Sequence, residues 1–181
     1  RGGFAKVKVT KAVHRRDVEH SAVAASAEVT PWDETRMCLV GDLQEAINNH
    51  GRVQLFKDDA CDGQHLAVKR MPTRWVCSGP REFDAQHAGA FERPWFDIGL
   101  VRLLNSVQYP FVCRLHGVFR SDLETFVATT FCDGGDLFEW CFRETLPDPG
   151  VEREAQMQPI ARQLVEAVRW LHDLGIAHRD L

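Results

Sequence analysis

The sequence predicts an α+β fold, and three observations support this prediction. Residues 65–71 alternate between inward and outward side chains, and residues 124–131 are rich in β-branched and aromatic residues, as strands are. Apolar residues recur at helical spacing in residues 96–104. They do so again between residues 152 and 174 near the end of the chain. Strands and helices are therefore both expected.

Composition narrows the class of protein. The chain has 181 residues, enough for one domain with a sizeable core. Its apolar fraction of 44% and charged fraction of 27% are ordinary for a globular protein. The net charge of −4 gives no indication of nucleic-acid or membrane-surface binding. No apolar run approaches the roughly 18 residues that cross a bilayer.

The cysteines show neither C-x-x-C pairs nor dense spacing, so they are expected to be reduced thiols rather than zinc ligands or disulfides. The six are Cys38, Cys61, Cys77, Cys113, Cys132 and Cys141.

The first sixty residues give weaker signals. Residues 21–30 are small and rich in alanine, and we expect them to be flexible. Asp42-Leu43-Gln44-Glu45 has the form of a capping box that opens a short helix, with Gly51 as its C-terminal cap. Residues 72–93 are expected to be irregular.

The strand that contains Lys69 follows a turn signal at Asp62-Gly63. An unpaired buried ammonium is costly, so a lysine on the inward face of such a strand needs a carboxylate or a phosphate. Lys69 is therefore a candidate binding residue.

The second half of the chain has clearer boundaries. Residues 132–135 break the strand that ends at Phe131, and Asp136 is placed to cap a short helix. In the last helix Gly175 stands at the position of a left-handed cap. Pro159 predicts either a kink in this helix or a helix that begins at Pro159.

Four segments together resemble the eukaryotic protein kinase family, of the serine/threonine type. They occur in the family's order and at nearly its spacing: Ala67-Val68-Lys69, residues 109–119, Asp133-Gly134-Gly135-Asp136-Leu137-Phe138 and His178-Arg179-Asp180. The resemblance implies a protein kinase-like fold, with an antiparallel five-stranded N-lobe sheet, a C-helix and the start of a helical C-lobe. It places the N-lobe at 1–129, the hinge at 130–135 and the C-lobe from 136 to 181, with residues 11–60 an insertion or an N-terminal extension.

The resemblance also implies catalytic roles. Lys69 would grip the α- and β-phosphates of ATP, and Asp180 would act as the base. Asp97 stands where the family has the glutamate that orients the lysine. Because aspartate is one methylene shorter, the helix would have to lie closer to the sheet. Arg179 would bind a phosphorylated activation loop.

The adenine site follows from the same resemblance. The backbone of Thr130, Phe131 and Cys132 would hydrogen-bond the adenine edge. Thr129 would guard the pocket behind the ring, and Asp136 would face the ribose hydroxyls. Ala67, two residues before the lysine, would also line the nucleotide site.

Two segments are candidates for the phosphate-binding loop. In the first, Gly2, Gly3, Ala5 and Val7 match the end of the family's glycine-rich pattern, and glycines there let backbone N–H groups approach phosphates. Val7 lies 62 positions before Lys69, where the family has about 15, so this placement requires a long insertion. We favour it slightly.

The second candidate ends in Gly51-Arg52-Val53. Val53 lies 16 positions before Lys69, which is close to the family's spacing. Ala46 and Asn48 occupy its first two glycine positions. A degraded loop, followed by Pro72-Thr73-Arg74-Trp75, gives a faint resemblance to the FIKK kinases of apicomplexan parasites, although the residues that name that group are absent.

The implied function is transfer of the γ-phosphoryl group of ATP to a serine or threonine of a protein substrate, with Mg²⁺ as cofactor. The family's metal-binding Asn and D-F-G segment are expected beyond Leu181, so the chain by itself is expected to be incomplete and inactive. The alternative is a pseudokinase, a regulatory module that keeps the fold without the chemistry. Asp97 and the eroded loop favour it, whereas Lys69 and His178-Arg179-Asp180 oppose it.

Overall fold

The computed structural model describes residues 12–45, 51–143 and 145–179. The chain divides into two compact units at Cys132 and Asp133. The larger unit comprises residues 15–132, and the smaller combines the segment before residue 15 with the chain from residue 133 onward. No helix in the described ranges is long and apolar enough to span a membrane.

A mixed sheet forms the framework of the larger unit. Its strands are β1 (Thr30–Pro31), β2 (Met37–Glu45), β3 (Arg52–Asp58), β4 (Gln64–Pro72), β5 (Leu115–Arg120) and β6 (Glu124–Thr130). Their order is β1-β5-β6-β4-β3-β2. The five longer strands pair antiparallel, which confirms the predicted five-stranded sheet. The short β1 adds a parallel edge strand beside β5.

Four helices accompany this sheet and two belong to the smaller unit. The first four are α1 (Arg15–Ala27), α2 (Thr73–Val76), α3 (Pro80–Gln86) and α4 (Pro94–Ser106). The other two are α5 (Leu137–Cys141) and α6 (Val151–Asp173). The segment 72–93, predicted to be irregular, thus contains α2 and α3.

Helix α1 corrects the expectation that residues 21–30 are flexible. Val18, Ala22 and Ala25 recur at helical spacing and are buried. Ala22 and Ala25 share a core cluster with residues of α4. A Cβ at Gly99 of α4 would lie 2.6 Å from the Val18 carbonyl oxygen, so the backbones of the two helices meet there. Small residues are therefore the means of helix packing and do not indicate flexibility.

Strand β2 corrects a second expectation. Residues 42–45 form no helix, because they belong to a strand that pairs with β3 from Met37 to Glu45. The capping-box pattern is compatible with a strand once a partner strand is available, since tertiary pairing overrides a local motif. Gly51 directly precedes β3, and residues 46–50 before it lie outside the described residues.

The two faces of the sheet carry separate cores. On one face Met71, Val118 and Val127 pack with Trp95 and Ile98 of α4. A cluster of six buried residues covers the other face, joined by the partly buried Trp32 and Phe119: Met37, Phe56, Leu66, Val68, Phe126 and Ala128. Trp32 stacks on the Phe126 ring with centroids 3.9 Å apart.

A row of polar side chains crosses four neighbouring strands. Gln54 of β3 donates from Nε2 to Asp42 Oδ1 of β2 at 2.5 Å. Arg70 of β4 donates to Gln54 Oε1 at 2.7 Å and forms an ion pair with Glu124 of β6. The row satisfies the buried Gln54 side chain and links all four strands.

An ion pair joins the two chain segments at the open end of the β2–β3 hairpin, away from the connecting loop. Arg36 donates to both carboxylate oxygens of Asp58 at 2.7 and 2.6 Å, and the Asp58 side chain is 4% exposed. Asp58 Oδ1 also accepts from the Ala60 N–H at 3.0 Å. The hydrogen bond from Arg36 is the main reason why the pKa of the Asp58 carboxyl is lowered.

In the smaller unit, α5 begins as predicted, because Asp136 Oδ1 accepts from the Glu139 N–H at 2.7 Å. Helix α6 contains Pro159 in its interior, so the prediction of a helix that begins at this proline is wrong. Gly175 has φ of 79°, which confirms the predicted left-handed cap. Leu171 is buried on α6, whereas Leu164 is 44% exposed.

We predict that Gly99→Ala lowers the free energy of unfolding by about 1–3 kcal/mol, because the new methyl group overlaps the backbone of α1. Urea unfolding measures the change. Gly41→Ala is the matched control, since a Cβ there meets no atom within 4 Å. Equal stability of both variants would mean that α1 and α4 do not approach as closely as described.

The pH dependence of stability should follow Asp58. Its pKa is lowered on folding, so the pair stabilises the fold above the unfolded carboxyl pKa of about 3.9 and loses this effect as the pH falls below it. Asp58→Asn should cost about 1–3 kcal/mol at pH 7. The difference from wild type should shrink when urea unfolding is repeated below pH 4. Asp59→Asn, in an exposed pair with Lys57, should change stability by less than about 1 kcal/mol.

Candidate functional site

The pairing of β4 with β6 brings several of the predicted site residues together. Ala67 lies opposite Thr129, and Lys69 lies opposite Val127. The Thr129 hydroxyl donates to the Ala67 carbonyl oxygen at 3.3 Å. Because Val127 packs in the cluster of α4, alternation places Ala67, Lys69 and Thr129 on the face of the sheet that α4 covers.

This face is only half-buried beside Lys69. Val53, Leu55, Ala67 and Thr129 are each partly exposed, although they lie in the middle of the sheet. Their neighbours on the opposite face are buried. Leu55, the partner of Ala67 in the register, is missing from the sequence prediction. The alternation of Val53 and Leu55 along β3 is the signal that could have identified it.

Lys69 and Asp97 lie on elements that face each other, but no ion pair joins them. Lys69 is exposed and forms no ion pair with a carboxylate of the described ranges. Asp97 is exposed in the first turn of α4. Their pairing therefore stays a prediction.

The second loop candidate connects β2 to β3. Val53 lies beside Lys69 in the register, on the same face. Gly51 lies so close to β4 that a Cβ would be 2.7 Å from the Arg70 carbonyl oxygen and 3.6 Å from Lys69 Cε. A side chain at Gly51 would therefore collide with the strand that carries Lys69. The residues of the first candidate, Gly2, Gly3, Ala5 and Val7, lie outside the described residues.

The backbone after β6 is held at two of its three predicted adenine-binding positions. The Thr130 N–H donates to the Arg114 carbonyl at 2.9 Å, and the Phe131 N–H to the His65 carbonyl at 3.4 Å. No described residue accepts a hydrogen bond from the Cys132 N–H. The Cys132 N–H could therefore donate to a ligand without breaking a hydrogen bond to a described residue.

His116 of β5 contacts the segment that begins at Thr130. Its Nε2 lies 2.8 Å from the Thr130 hydroxyl. Burial, and the charge of Arg114, lower the pKa of His116, so the ring is neutral at neutral pH and hydrogen-bonds without adding charge. His116 was not among the predicted site residues.

In the smaller unit, the Asp136 carboxylate is engaged as the cap of α5. Arg179 has φ of 69°, an unusual value for a residue other than glycine and one often found at functional sites. Asp180 lies outside the described residues, so its role stays a prediction. The described residues contain no group of three or more side chains that could hold a metal ion.

Comparison with known proteins identifies the family. The protein kinase domain family matches residues 98–181, a range that includes α4 from Ile98 onward, the segment after β6 and the His-Arg-Asp triplet. The chain belongs to the eukaryotic protein kinase family. Its membership confirms the resemblance found in the sequence and the predicted kinase-like fold.

The chain is similar in sequence to serine/threonine kinases. It is 31% identical over 81 residues to serine/threonine-protein kinase cds1 of Schizosaccharomyces pombe, covering 45% of this chain and 16% of the relative. It is 31% identical over 133 residues to CBL-interacting protein kinase 1 of Oryza sativa subsp. japonica, covering 74% and 25%. The matches thus span a quarter or less of the length of these relatives.

A solved structure supports the same fold. Rad53 residues 1–466 in complex with AMP-PNP superposes with a TM-score of 0.52 at 21% identity. The superposition covers 81% of this chain and 33% of that one. The superposition thus covers a larger share of this chain than the family match does, and it supports the kinase fold.

Amide hydrogen exchange should distinguish the backbone groups after β6. We expect the Thr130 amide to exchange slowly, because its N–H is bonded within the sheet, and the Cys132 amide to exchange at least tenfold faster. Residue-resolved NMR exchange measures both rates. Equal protection of the two amides would contradict the described hydrogen bonding.

Proposed function

We propose that the protein that contains this chain is an ATP-dependent serine/threonine protein kinase. One observation carries the proposal: the register of β4 against β6 sets Lys69, Ala67 and Thr129 on one half-buried face that ends at the open Cys132 N–H. Membership in the kinase family and the similarity to serine/threonine kinases support it. The whole protein's substrate is a protein hydroxyl in this proposal.

In this proposal the adenine ring lies against the half-buried apolar side chains of β3, β4 and β6. The Cys132 N–H donates to the ring, since the N–H groups of Thr130 and Phe131 are already used in the sheet. Thr129, a small residue, leaves room behind the ring. We propose residues 130–135 as the hinge on this basis.

Lys69 is exposed on the same face, with no described carboxylate competing for its ammonium. We propose that it binds the α- and β-phosphates and that Asp97 orients it when nucleotide is present. A charge-assisted contact of this kind contributes about 1.5–3 kcal/mol. Mg²⁺ would be bound with ATP, through the phosphates and groups other than the described residues.

We propose the segment between β2 and β3, ending at Gly51, as the phosphate-binding loop. Two observations support this second candidate over the first. Val53 pairs with Lys69 at the site, and Gly51 is required where the loop approaches β4. Ala46 and Asn48 replace glycines, so fewer backbone N–H groups can approach the phosphates and nucleotide binding should be weaker than with a glycine-rich loop.

The pseudokinase function is the second candidate, and it is favoured because no ion pair joins Lys69 to Asp97 within the described residues. A pseudokinase would bind nucleotide or a protein partner without transferring phosphate. It would retain the sheet and α4 as a regulatory surface. Phosphoryl transfer by the natural protein separates the two functions.

Replacement of Lys69 by methionine should weaken ATP binding by roughly 10- to 100-fold, because one charge-assisted contact to the phosphates is lost. Calorimetric titration with ATP and Mg²⁺ measures the affinity, and transfer from γ-labelled ATP to serine and threonine peptides measures activity. Lys57→Met removes an exposed lysine from the same sheet and should change neither. ATP binding without any transfer by the whole natural protein, which includes the segment beyond Leu181, would favour the pseudokinase.

Asp97→Ala should weaken ATP binding by a similar factor if it orients Lys69. The double variant with Lys69→Met should then be no worse than either single variant, because the two residues act together. Asp97→Glu should retain binding, since it keeps the carboxylate. Additive losses in the double variant would show that Asp97 acts independently of Lys69.

A further inference from the structure

Two cysteines of the larger unit lie in contact beside the proposed hinge. The Sγ atoms of Cys113 and Cys132 are 3.6 Å apart. Both residues are exposed. None of the other four cysteines contacts a second cysteine in the described structure.

The backbone holds the two thiols in this position. Cys113 precedes β5 and Cys132 follows β6, and these strands pair antiparallel, with Leu115 opposite Thr129. The pairing continues outward through the Thr130 N–H, which donates to the Arg114 carbonyl at 2.9 Å. The cysteines therefore extend from the same end of one hairpin.

Helix α4 fixes the Cys113 side further. Asn105 Nδ2 donates to the Cys113 carbonyl oxygen, and Asn105 Oδ1 accepts from the Leu115 N–H, both at 3.2 Å. A disulfide requires sulfurs about 2.05 Å apart on Cα atoms about 4.4–6.8 Å apart. Neighbouring antiparallel segments meet this spacing, so small side-chain rotations suffice.

We propose that Cys113 and Cys132 form a reversible disulfide, a redox modification site whose oxidant is a small-molecule disulfide of the glutathione type. The thiolate of one cysteine attacks the oxidant's disulfide, forming a mixed disulfide and releasing one small thiolate. The second cysteine, deprotonated, then attacks the protein sulfur of the mixed disulfide and releases the second small thiolate, and each small thiolate takes up a proton that a cysteine has lost. Two protein thiols are oxidised, one small disulfide is reduced to two thiols, and protons and electrons balance.

The chemistry of Cys113 predicts slow exchange with a disulfide. Although the residue is exposed, desolvation of its sulfur and the adjacent Cys132 raise the pKa of the thiol, so little of the reactive thiolate is present at neutral pH. Fast reaction with peroxide, which requires a low thiol pKa, is not expected of it. The disulfide between Cys113 and Cys132 should therefore form slowly, as the protein equilibrates with the small thiols and disulfides in solution.

The consequence for nucleotide binding rests on the proposed function. Bond formation ties the Cys132 side chain to Cys113 and restricts the backbone that carries the open N–H, so this N–H can no longer adjust to a ligand acceptor. Loss of one well-directed hydrogen bond corresponds to roughly tenfold weaker binding. The oxidised protein should therefore bind ATP roughly tenfold more weakly than the reduced protein.

The test is equilibration of the full chain in glutathione buffers of increasing oxidised-to-reduced ratio, followed by thiol alkylation, trypsin digestion and mass spectrometry. Trypsin places Cys113 in peptide 103–114 and Cys132 in peptide 121–143. We expect the two peptides to appear linked in the oxidised chain and to separate on reduction. Fully alkylated thiols at every ratio would overturn the proposal.

Matched variants identify the atoms in the link. Peptide 121–143 also contains Cys141, so Cys141→Ser must keep the linked product and Cys132→Ser must abolish it. Cys113→Ser must abolish it as well, whereas Cys38→Ser, at another exposed cysteine, must not. A link that survives Cys132→Ser contradicts the assignment.

ATP titration of the reduced and oxidised forms separates this proposal from the proposed function. Weaker binding by the oxidised wild type, with no redox effect in Cys113→Ser, supports the effect on the hinge. Equal affinities in a linked protein would refute that effect. If the disulfide forms but neither the reduced nor the oxidised protein binds ATP, the proposed function is refuted and the disulfide is still supported.

Discussion

The pairing of β4 with β6 is the constraint on which the rest of the structure depends. Successive residues of a strand face opposite sides, so this register decides which side chains meet α4 and which meet Trp32. A slip by one residue would turn Lys69 toward the aromatic cluster around Trp32 and move Val68 to the face that α4 covers. Both faces specify the register, one by the apolar contacts of α4 and the other by Arg70, whose guanidinium bonds Gln54 and Glu124.

The N-terminal helix connects a remote part of the chain to the site. Helix α1 packs on α4 through Val18 and Ala22 at a distance that only a glycine at position 99 allows. Helix α4 in turn carries Asp97, which is proposed to orient Lys69. The position of that carboxylate relative to the sheet is therefore set partly by residues 15–27.

The sequence predicts the elements whose conformation depends on residues close together in the chain. Strands β4 and β6, the helices α4 and α6 and the Asp136 cap follow from patterns within a few residues of each other, and the structure contains them all. Helix α1 was not predicted because its alanines become core residues through packing on α4 around Gly99, which lies far along the chain. Strand β2 was missed because its partner β3, and not its own motif, determines its conformation. At the site, motifs identified Lys69 and Thr129, but Leu55 and His116 required the register.

The long reach of the first elements has a consequence for synthesis on the ribosome. Glu28 bonds Arg102 across 74 positions, and Thr30 pairs with Phe119, later still in the sequence. Helix α1 cannot acquire its native neighbour until α4 has been synthesised, and β1 cannot acquire its neighbour until β5 has been synthesised. Contacts so distant in sequence are slow to form because the intervening loop must first close. Helix α1 must therefore wait without its packing partner until residues 94–106 have been synthesised, which makes it a natural point for chaperone binding.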